Sequence, residues 1–193
     1  YIGCDLEKFN NYRLEKKNKK PLILWNHRWE FDKNPELFFN TLIQLKDRGF
    51  DFELAVLGEK FKDFPEIFNK AKVQLSSNII HFGYCESFEE YAKWLWKSDL
   101  LPITSNQDFF GISIIEAVYC NTYPILPKRL TYPELFNYEL NKQIFYKNDN
   151  ELLNKIIYYF NNKDQSNCNY QLSEYSWKNI VKKYDNTFLK LTS

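Results

Sequence analysis

The sequence predicts an α/β fold built on a doubly wound, parallel, six-stranded sheet covered on both faces by helices. Two observations carry this. Short runs that are apolar throughout alternate with longer stretches of helical periodicity, the pattern of strands buried on both faces by crossover helices. Three glycines, Gly58, Gly83 and Gly111, each follow the end of a predicted strand. They therefore share one rim of the sheet, the carboxyl rim at which open α/β sheets bind ligands.

Taken in order, residues 1–20 are polar and end in the basic run Lys16-Lys17-Asn-Lys-Lys20, an entry or linker segment. Pro21 to Asn26 is the first strand. Asn34-Pro35 supplies an N-cap and an N1 proline to a helix with Leu37, Phe38, Leu42 and Leu45 on one face, ending at Gly49. Phe52 to Gly58 is the second strand, and Phe64, Ile67, Phe68, Ala71 and Leu75 trace the second helix. Ile79 to Gly83 is the third strand, and Ser87 caps a helix containing Tyr91, Trp94 and Leu95. Asp99 to Ser105 and Thr122 to Leu126 are strands flanking a short, nearly all-apolar central helix. Tyr132 to Phe136 makes one helical turn, Gln143 to Tyr146 a sixth strand, and Asn148 to Phe160 a helix. A polar stretch leads to a last helix over 173–191, bearing Trp177, Ile180, Val181, Tyr184 and Phe188 on one side. The ligand-binding domain is thus expected over 21–172, with the terminal helix, 173–193, standing apart.

Composition narrows the function. At 193 residues with 44% hydrophobic content the chain supports one well-cored domain. A net charge of +1 advertises neither a nucleic-acid nor a membrane surface. No run of twenty apolar residues and no basic-then-apolar leader is present, so neither a membrane span nor a signal peptide is expected, and the expected compartment is cytoplasmic. Cys4, Cys85, Cys120 and Cys168 are scattered, with no C-x-x-C pair and no Cys/His cluster, so structural zinc is not expected. The chain starts at Tyr1 and contains no Met, as an excised part of something longer does.

There is no G-x-G-x-x-G after the first strand and no Walker lysine loop, which disfavours ordinary dinucleotide and P-loop sites. The first strand opens instead into His27-Arg28-Trp29-Glu30-Phe31-Asp32-Lys33. Arg28 is able to fork across phosphate oxygens while Lys33 acts as a point charge. The plainer reading pairs these cations with Glu30 and Asp32. A second anion-binding element lies at the central helix, where Phe110, Gly111, Ile112 and Ser113 begin the turn. Free N–H groups there are open to close approach because Gly111 lacks a Cβ. Asp108 and Glu116 are eight apart and border one cleft if Asp108 lies on the entry loop. The plainer reading makes Asp108 a helix cap. Glu116, inside an apolar helix, needs a partner or a ligand. His27 adjoins the clamp, His81 reads as a structural residue within a strand, Tyr84 sits just past a strand end where a base stacks, and Trp25 and Trp29 read as core.

The Asp108-x7-Glu116 spacing resembles the acidic-x7-Glu motif of retaining glycosyltransferases of the two-Rossmann (GT-B) type, family four, with Asp where that family usually has Glu. Arg28 and Lys33 match the Arg and Lys that this family sets after the first strand of its C-terminal domain. Leu54-Ala-Val-Leu-Gly58 and His81-Phe-Gly83 follow in the family's order. Ile23-Leu-Trp-Asn-His-Arg-Trp-Glu30, Asp32-Lys-Asn-Pro-Glu36, Val56-Leu-Gly-Glu59, Glu116-Ala-Val-Tyr-Cys120 and Arg129-Leu-Thr-Tyr-Pro-Glu134 are most similar to the tRNA-queuosine mannosyltransferase branch and its bacterial relatives.

The resemblance implies a Rossmann-like C-terminal half that binds a nucleotide-diphosphate sugar, GDP-mannose, with no metal or other cofactor. Asp108 would contact the sugar, Glu116 the ribose, and Arg28 and Lys33 the diphosphate. The acceptor, tRNA in that branch, would enter from an N-terminal domain toward which the last helix packs, so this part alone is expected to bind donor without transferring it. A lipid or polysaccharide acceptor, or a non-catalytic nucleotide-sugar module, fits the same residues.

Overall fold

The computed structural model describes residues 3–15, 18–59, 64–162, 170 and 172–192. Cys168 and Lys16-Lys17 lie outside the described residues. Six strands, β1 (Leu22–Trp25), β2 (Glu53–Leu57), β3 (Ile79–Gly83), β4 (Leu100–Pro102), β5 (Tyr123–Pro127) and β6 (Phe145–Tyr146), form one sheet in the order β3-β2-β1-β4-β5-β6. Every pairing is parallel. Chain direction across the sheet reverses between β1 and β4, and the carboxyl ends of these two strands are where a ligand crevice opens in such a sheet.

Helices α1 (Pro35–Asp47), α2 (Ile67–Gln74), α3 (Phe88–Lys97), α4 (Ile112–Tyr119), α5 (Tyr132–Leu135) and α6 (Asp149–Asn161) cover the sheet, and α7 (Trp177–Thr192) ends the chain. Their starts follow local chemistry. Asn34, Ser87 and Asn148 each accept a hydrogen bond from the backbone N–H three residues on, at 3.3, 3.1 and 3.0 Å, satisfying donors that a helix start leaves over.

One core lies on each face of the sheet. One holds Leu22, Leu24, Ala55, Leu101 and Ile115 with α3 and α4, and the other Ile23, Trp25, Leu54, Val56 and Leu100 with α1, α2 and α6. Trp25 is the pivot of the second. Its ring stacks at 5.8 Å on Phe39, meets Phe38 and Phe68 edge-on at 5.0 and 5.6 Å, and its Nε1–H donates to the His27 carbonyl at 2.8 Å. Trp29 is also buried, stacked at 4.5 Å on Phe68.

Several elements differ from their sequence-based bounds. Of residues 1–20, expected as an entry segment, the described stretch 3–15 docks on the domain: Leu6 and Phe9 are buried, a 3-10 helix spans Glu7–Tyr12, and Trp96 Nε1 donates to Phe9 O at 2.8 Å. Cys4 bridges to Ser176 beside the start of α7, tying the described amino-terminal residues to the carboxyl-terminal helix. The strand expected over 99–105 keeps only Leu100–Pro102 in the ladder, because the Thr104 hydroxyl turns to donate to Lys33 O at 2.8 Å. The last helix begins at Trp177 after a 3-10 turn, Leu172–Tyr175. Ile180 is buried, whereas Trp177, Tyr184, Phe188 and Leu191 on α7 are exposed.

Truncating Trp25 to Ala removes a fully buried ring from the centre of an aromatic cluster. Urea unfolding of Trp25→Ala is expected to show a loss of about 3–5 kcal/mol; a loss below about 1 kcal/mol contradicts its central place in the core.

Candidate active site

Two loops meet beyond the carboxyl ends of β1 and β4. The loop after β1 carries Asn26, His27, Arg28 and a 3-10 turn, Phe31–Lys33. The loop after β4 runs into α4. Their backbones are stitched together: the N–H groups of Asn106 and Gln107 donate to Asp32 O at 2.7 and 3.3 Å. Asn26 Nδ2 donates to Ser113 O at 2.7 Å, and the Ser113 hydroxyl lies 3.3 Å from His27 Nδ1.

Lys33 is buried in this seam. Its ammonium donates to Gln107 O at 2.8 Å and stands 3.2 Å from Asp32 and 4.0 Å from Asp108. A buried ammonium without such partners carries a desolvation cost of several kcal/mol. Arg28 is different: its side chain is 61% exposed and pairs with Glu30 at 3.1 Å. The plainer reading of both cations, pairing with Glu30 and Asp32, is therefore what the structure shows. Arg28 is free to swing, because an exposed pair of this kind is worth about 1 kcal/mol or less.

Asp108 acts as a local cap and as more than that. Its Oδ1 accepts from Gly111 N–H at 3.0 Å, and its Oδ2 accepts from the Tyr132 hydroxyl at 3.0 Å. Gly111 stands at φ 77°, a left-handed conformation that suits glycine. With the Gly111 N–H taken, helix geometry leaves the amides of Ile112 and Ser113 as first-turn donors without an intrahelical partner. Ile112 is partly exposed. Phe110 offers a ligand only its backbone, since its ring is buried and meets Tyr175 edge-on at 5.8 Å.

Glu116 has the partner its apolar setting demands. Tyr91 on α3 donates its hydroxyl to Glu116 Oε2 at 2.9 Å. Burial raises the Glu116 carboxyl above its usual range, opposed by that hydrogen bond, and burial together with the Glu116 charge raises the Tyr91 phenol. Sequence reasoning listed Tyr91 only as a helix-face residue. Its partner lies 25 positions away, and no local spacing signals the pair.

A cavity of about 420 Å³ opens beside these groups, lined by Asn26, His27, Arg28, Gly58, Tyr84 and Tyr91 among others, within the size range of small-molecule sites. Tyr84 is 64% exposed at its mouth. Gly58 closes its floor: at φ 116° a Cβ there would lie 2.2 Å from His27 O. His27 and Asn26 are buried, and His27 Nε2 and Asn26 Oδ1 have no hydrogen-bond partner. Both residues line the cavity, and a buried polar atom without a partner is a feature that calls for an explanation such as a bound polar group.

Burial lowers the His27 pKa to about 4, with Asp108 opposing the shift and Lys33 adding to it. The imidazole is therefore neutral at pH 7, an acceptor or single donor. The sign of the linkage follows. Between pH 6.5 and about 4 the unfolded chain binds a proton that folded His27 refuses, so stability is complete above 6.5 and falls as the pH drops. His27→Asn is expected to flatten the acid limb of the urea midpoint in that window by on the order of 2–3 kcal/mol; an unchanged acid limb contradicts the neutral, buried imidazole.

Comparison with known proteins gives the family and the fold. The family model "Glycosyl transferases group 1" matches residues 7–176. The tRNA-queuosine alpha-mannosyltransferase of Drosophila melanogaster is 36% identical over 175 residues, covering 87% of this chain and 45% of that protein. Among solved structures, sucrose-phosphate synthase from Thermosynechococcus elongatus has a TM-score of 0.75 at 16% identity, over 99% of this chain and 51% of that one. A glycosyltransferase from Rickettsia africae gives 0.73 at 17%, over all of this chain and 56% of its own. The chain spans about half the length of these relatives. The structural likenesses show the fold, the Rossmann-like half of a GT-B glycosyltransferase. With the family match running from the docked amino-terminal turn to the start of α7, and the cleft lying where that fold takes its ligand, the chain belongs to the group 1 glycosyl transferases.

Proposed function

We propose that this chain is the donor-binding half of a retaining glycosyltransferase that takes a nucleotide-diphosphate sugar, GDP-mannose, and serves mannosylation of queuosine in tRNA. The observation that carries the proposal is the meeting of the first turn of α4 with the unpartnered His27 Nε2 at the switch point of the sheet. The mannosyl group and the queuosine acceptor rest on the 36% identity to the Drosophila queuosine enzyme, and the GDP carrier on the motif resemblance alone.

In this reading the amides of Ile112 and Ser113 and the macrodipole of α4 receive the diphosphate. Arg28 leaves Glu30 and closes over it with a bidentate grip. Lys33 holds the loop that presents the helix start, and its charge lies within reach of the leaving group. As the bond between sugar and phosphate breaks, negative charge grows on the diphosphate, and preorganised donors aimed there lower the barrier. His27 Nε2, neutral at pH 7, accepts from or donates to a sugar hydroxyl. Asp108 positions the sugar from the entry loop. Glu116 receives the ribose hydroxyls, with Tyr91 keeping its carboxylate aligned. Tyr84 stacks on the base at the cavity mouth. Transfer needs no metal in this scheme, cations and helix dipole taking its place. The acceptor is held by the other half of the two-domain fold, against the exposed apolar side of α7, in a cytoplasmic enzyme.

Calorimetry with GDP-mannose tests this. Arg28→Ala and Glu116→Ala are each expected to weaken binding at least tenfold, about 1.4 kcal/mol, with Arg28→Ala also flattening the salt dependence. Wild-type affinity in both variants would remove the site assignment.

A further inference from the structure

Beside the cavity, His81, Cys85 and Glu90 converge from three elements, β3, the connecting loop and the first turn of α3. Their ligating atoms all lie within 4.8 Å of one another. We propose that these three residues form a site for a thiophilic divalent cation, Zn²⁺ being the best fit, that clamps β3 to α3 and fixes the wall of the cleft. The proposal does not rest on the donor assignment.

His81 and Glu90 are each oriented by contacts of their own. His81 Nε2 lies 3.2 Å from Gly83 O. A carbonyl only accepts, so that nitrogen carries the hydrogen and Nδ1 presents its lone pair. Backbone carbonyls orient metal-bound histidines in this way. Nδ1 faces Glu90 Oε1 at 3.9 Å, so two lone pairs confront each other unless a proton or a cation stands between them. The Glu90 carboxylate is set by the helix start: its Oε2 accepts from Glu86 N–H at 2.9 Å, while its own N–H donates to the Ser87 hydroxyl at 3.1 Å. That reciprocal cap leaves Oε1 over. Cys85 is buried and forms no disulfide.

One imidazole nitrogen, one sulfur and one carboxylate oxygen make a borderline-soft donor set, suited to Zn²⁺ or Co²⁺ and poor for Mg²⁺. Bonds of about 2.0–2.3 Å in a tetrahedron bring ligand atoms to roughly 3.3–3.8 Å apart, so closing the site takes a contraction of about 1 Å. Glu90 is 38% exposed, which leaves a path for the ion and a fourth position for water. On binding, the Cys85 S–H bond gives its proton to solvent as the sulfur–metal bond forms. The pattern His81-x3-Cys85-x4-Glu90 crosses a strand end, a loop and a helix, which is why reading the cysteines by spacing gave no zinc site. Tyr84, Cys85, Glu86 and Ser87 all line the cavity, so the ion would stiffen its wall and take no part in the transfer.

Co²⁺ titration of the intact protein is expected to give one equivalent with a near-ultraviolet thiolate-to-cobalt charge-transfer band. That band disappears in Cys85→Ser and persists in a Cys168→Ser control. Glu90→Gln, which keeps an oxygen for the Glu86 N–H, is expected to weaken Zn²⁺ binding at least tenfold and to shrink the Zn²⁺-induced rise in unfolding midpoint. A band that survives Cys85→Ser, wild-type Zn²⁺ affinity in Glu90→Gln, displacement of Zn²⁺ by Mg²⁺, or no binding of Co²⁺ at all each overturns the proposal.

Discussion

The ammonium of Lys33, buried in the seam between two loops, is the interaction on which the cleft depends. One loop leaves β1 and the other enters α4, and the sheet's change of direction would otherwise let them part. Lys33 Nζ holds Gln107 O at 2.8 Å, with Asp32 and Asp108 close by, while its own carbonyl receives the Thr104 hydroxyl. A charge so placed is tolerated only while those partners stay. The same contacts therefore fix the entry angle of α4, the aim of its first-turn amides and the place of Asp108. A residue expected to grip a ligand directly also builds the site that would grip it.

Around that seam the charges of Lys33, Asp32 and Asp108 offset one another. His27 is deprotonated by its burial, with Asp108 and Lys33 acting on it in opposite senses. Glu116 shares its carboxylate with the Tyr91 hydroxyl. The exposed positive group is Arg28, out in solvent and paired with Glu30. Such a division, with a rigid set of dipoles inside and one swinging guanidinium outside, suits an anionic ligand that must enter, be held, and leave with an extra charge.

Much of the fold was legible in the sequence because the central strands, β1 and β4 above all, are buried throughout and read as unbroken apolar runs. Caps were legible for a local reason: Asn34, Ser87 and Asn148 each answer a donor three residues away. What escaped was non-local. Leu6 and Phe9 sit in a polar stretch, yet bury fully against α3. Phe110 looked available at a helix start, but its ring turns into the core while Phe109 is exposed. The partners of Asp108 and Glu116, Tyr132 and Tyr91, are 24 and 25 residues distant. Of the candidate site, Asp108, Gly111, Lys33 and His27 do gather at one rim, as their positions after strand ends implied. The tyrosines that hold Asp108 and Glu116 could be learned only from the packing of α5 and α3.

The account's central claim is that an anion is received where the stitched loops present the first turn of α4. Backbone amide chemical shifts during titration with GDP measure this most directly. The account predicts saturable, hydrogen-bond-like downfield shifts at the amides of Ile112 and Ser113, with a concerted change at the His27 ring. Saturable binding that leaves those two amides and His27 unmoved, with the shifts gathered elsewhere on the molecule, would contradict it.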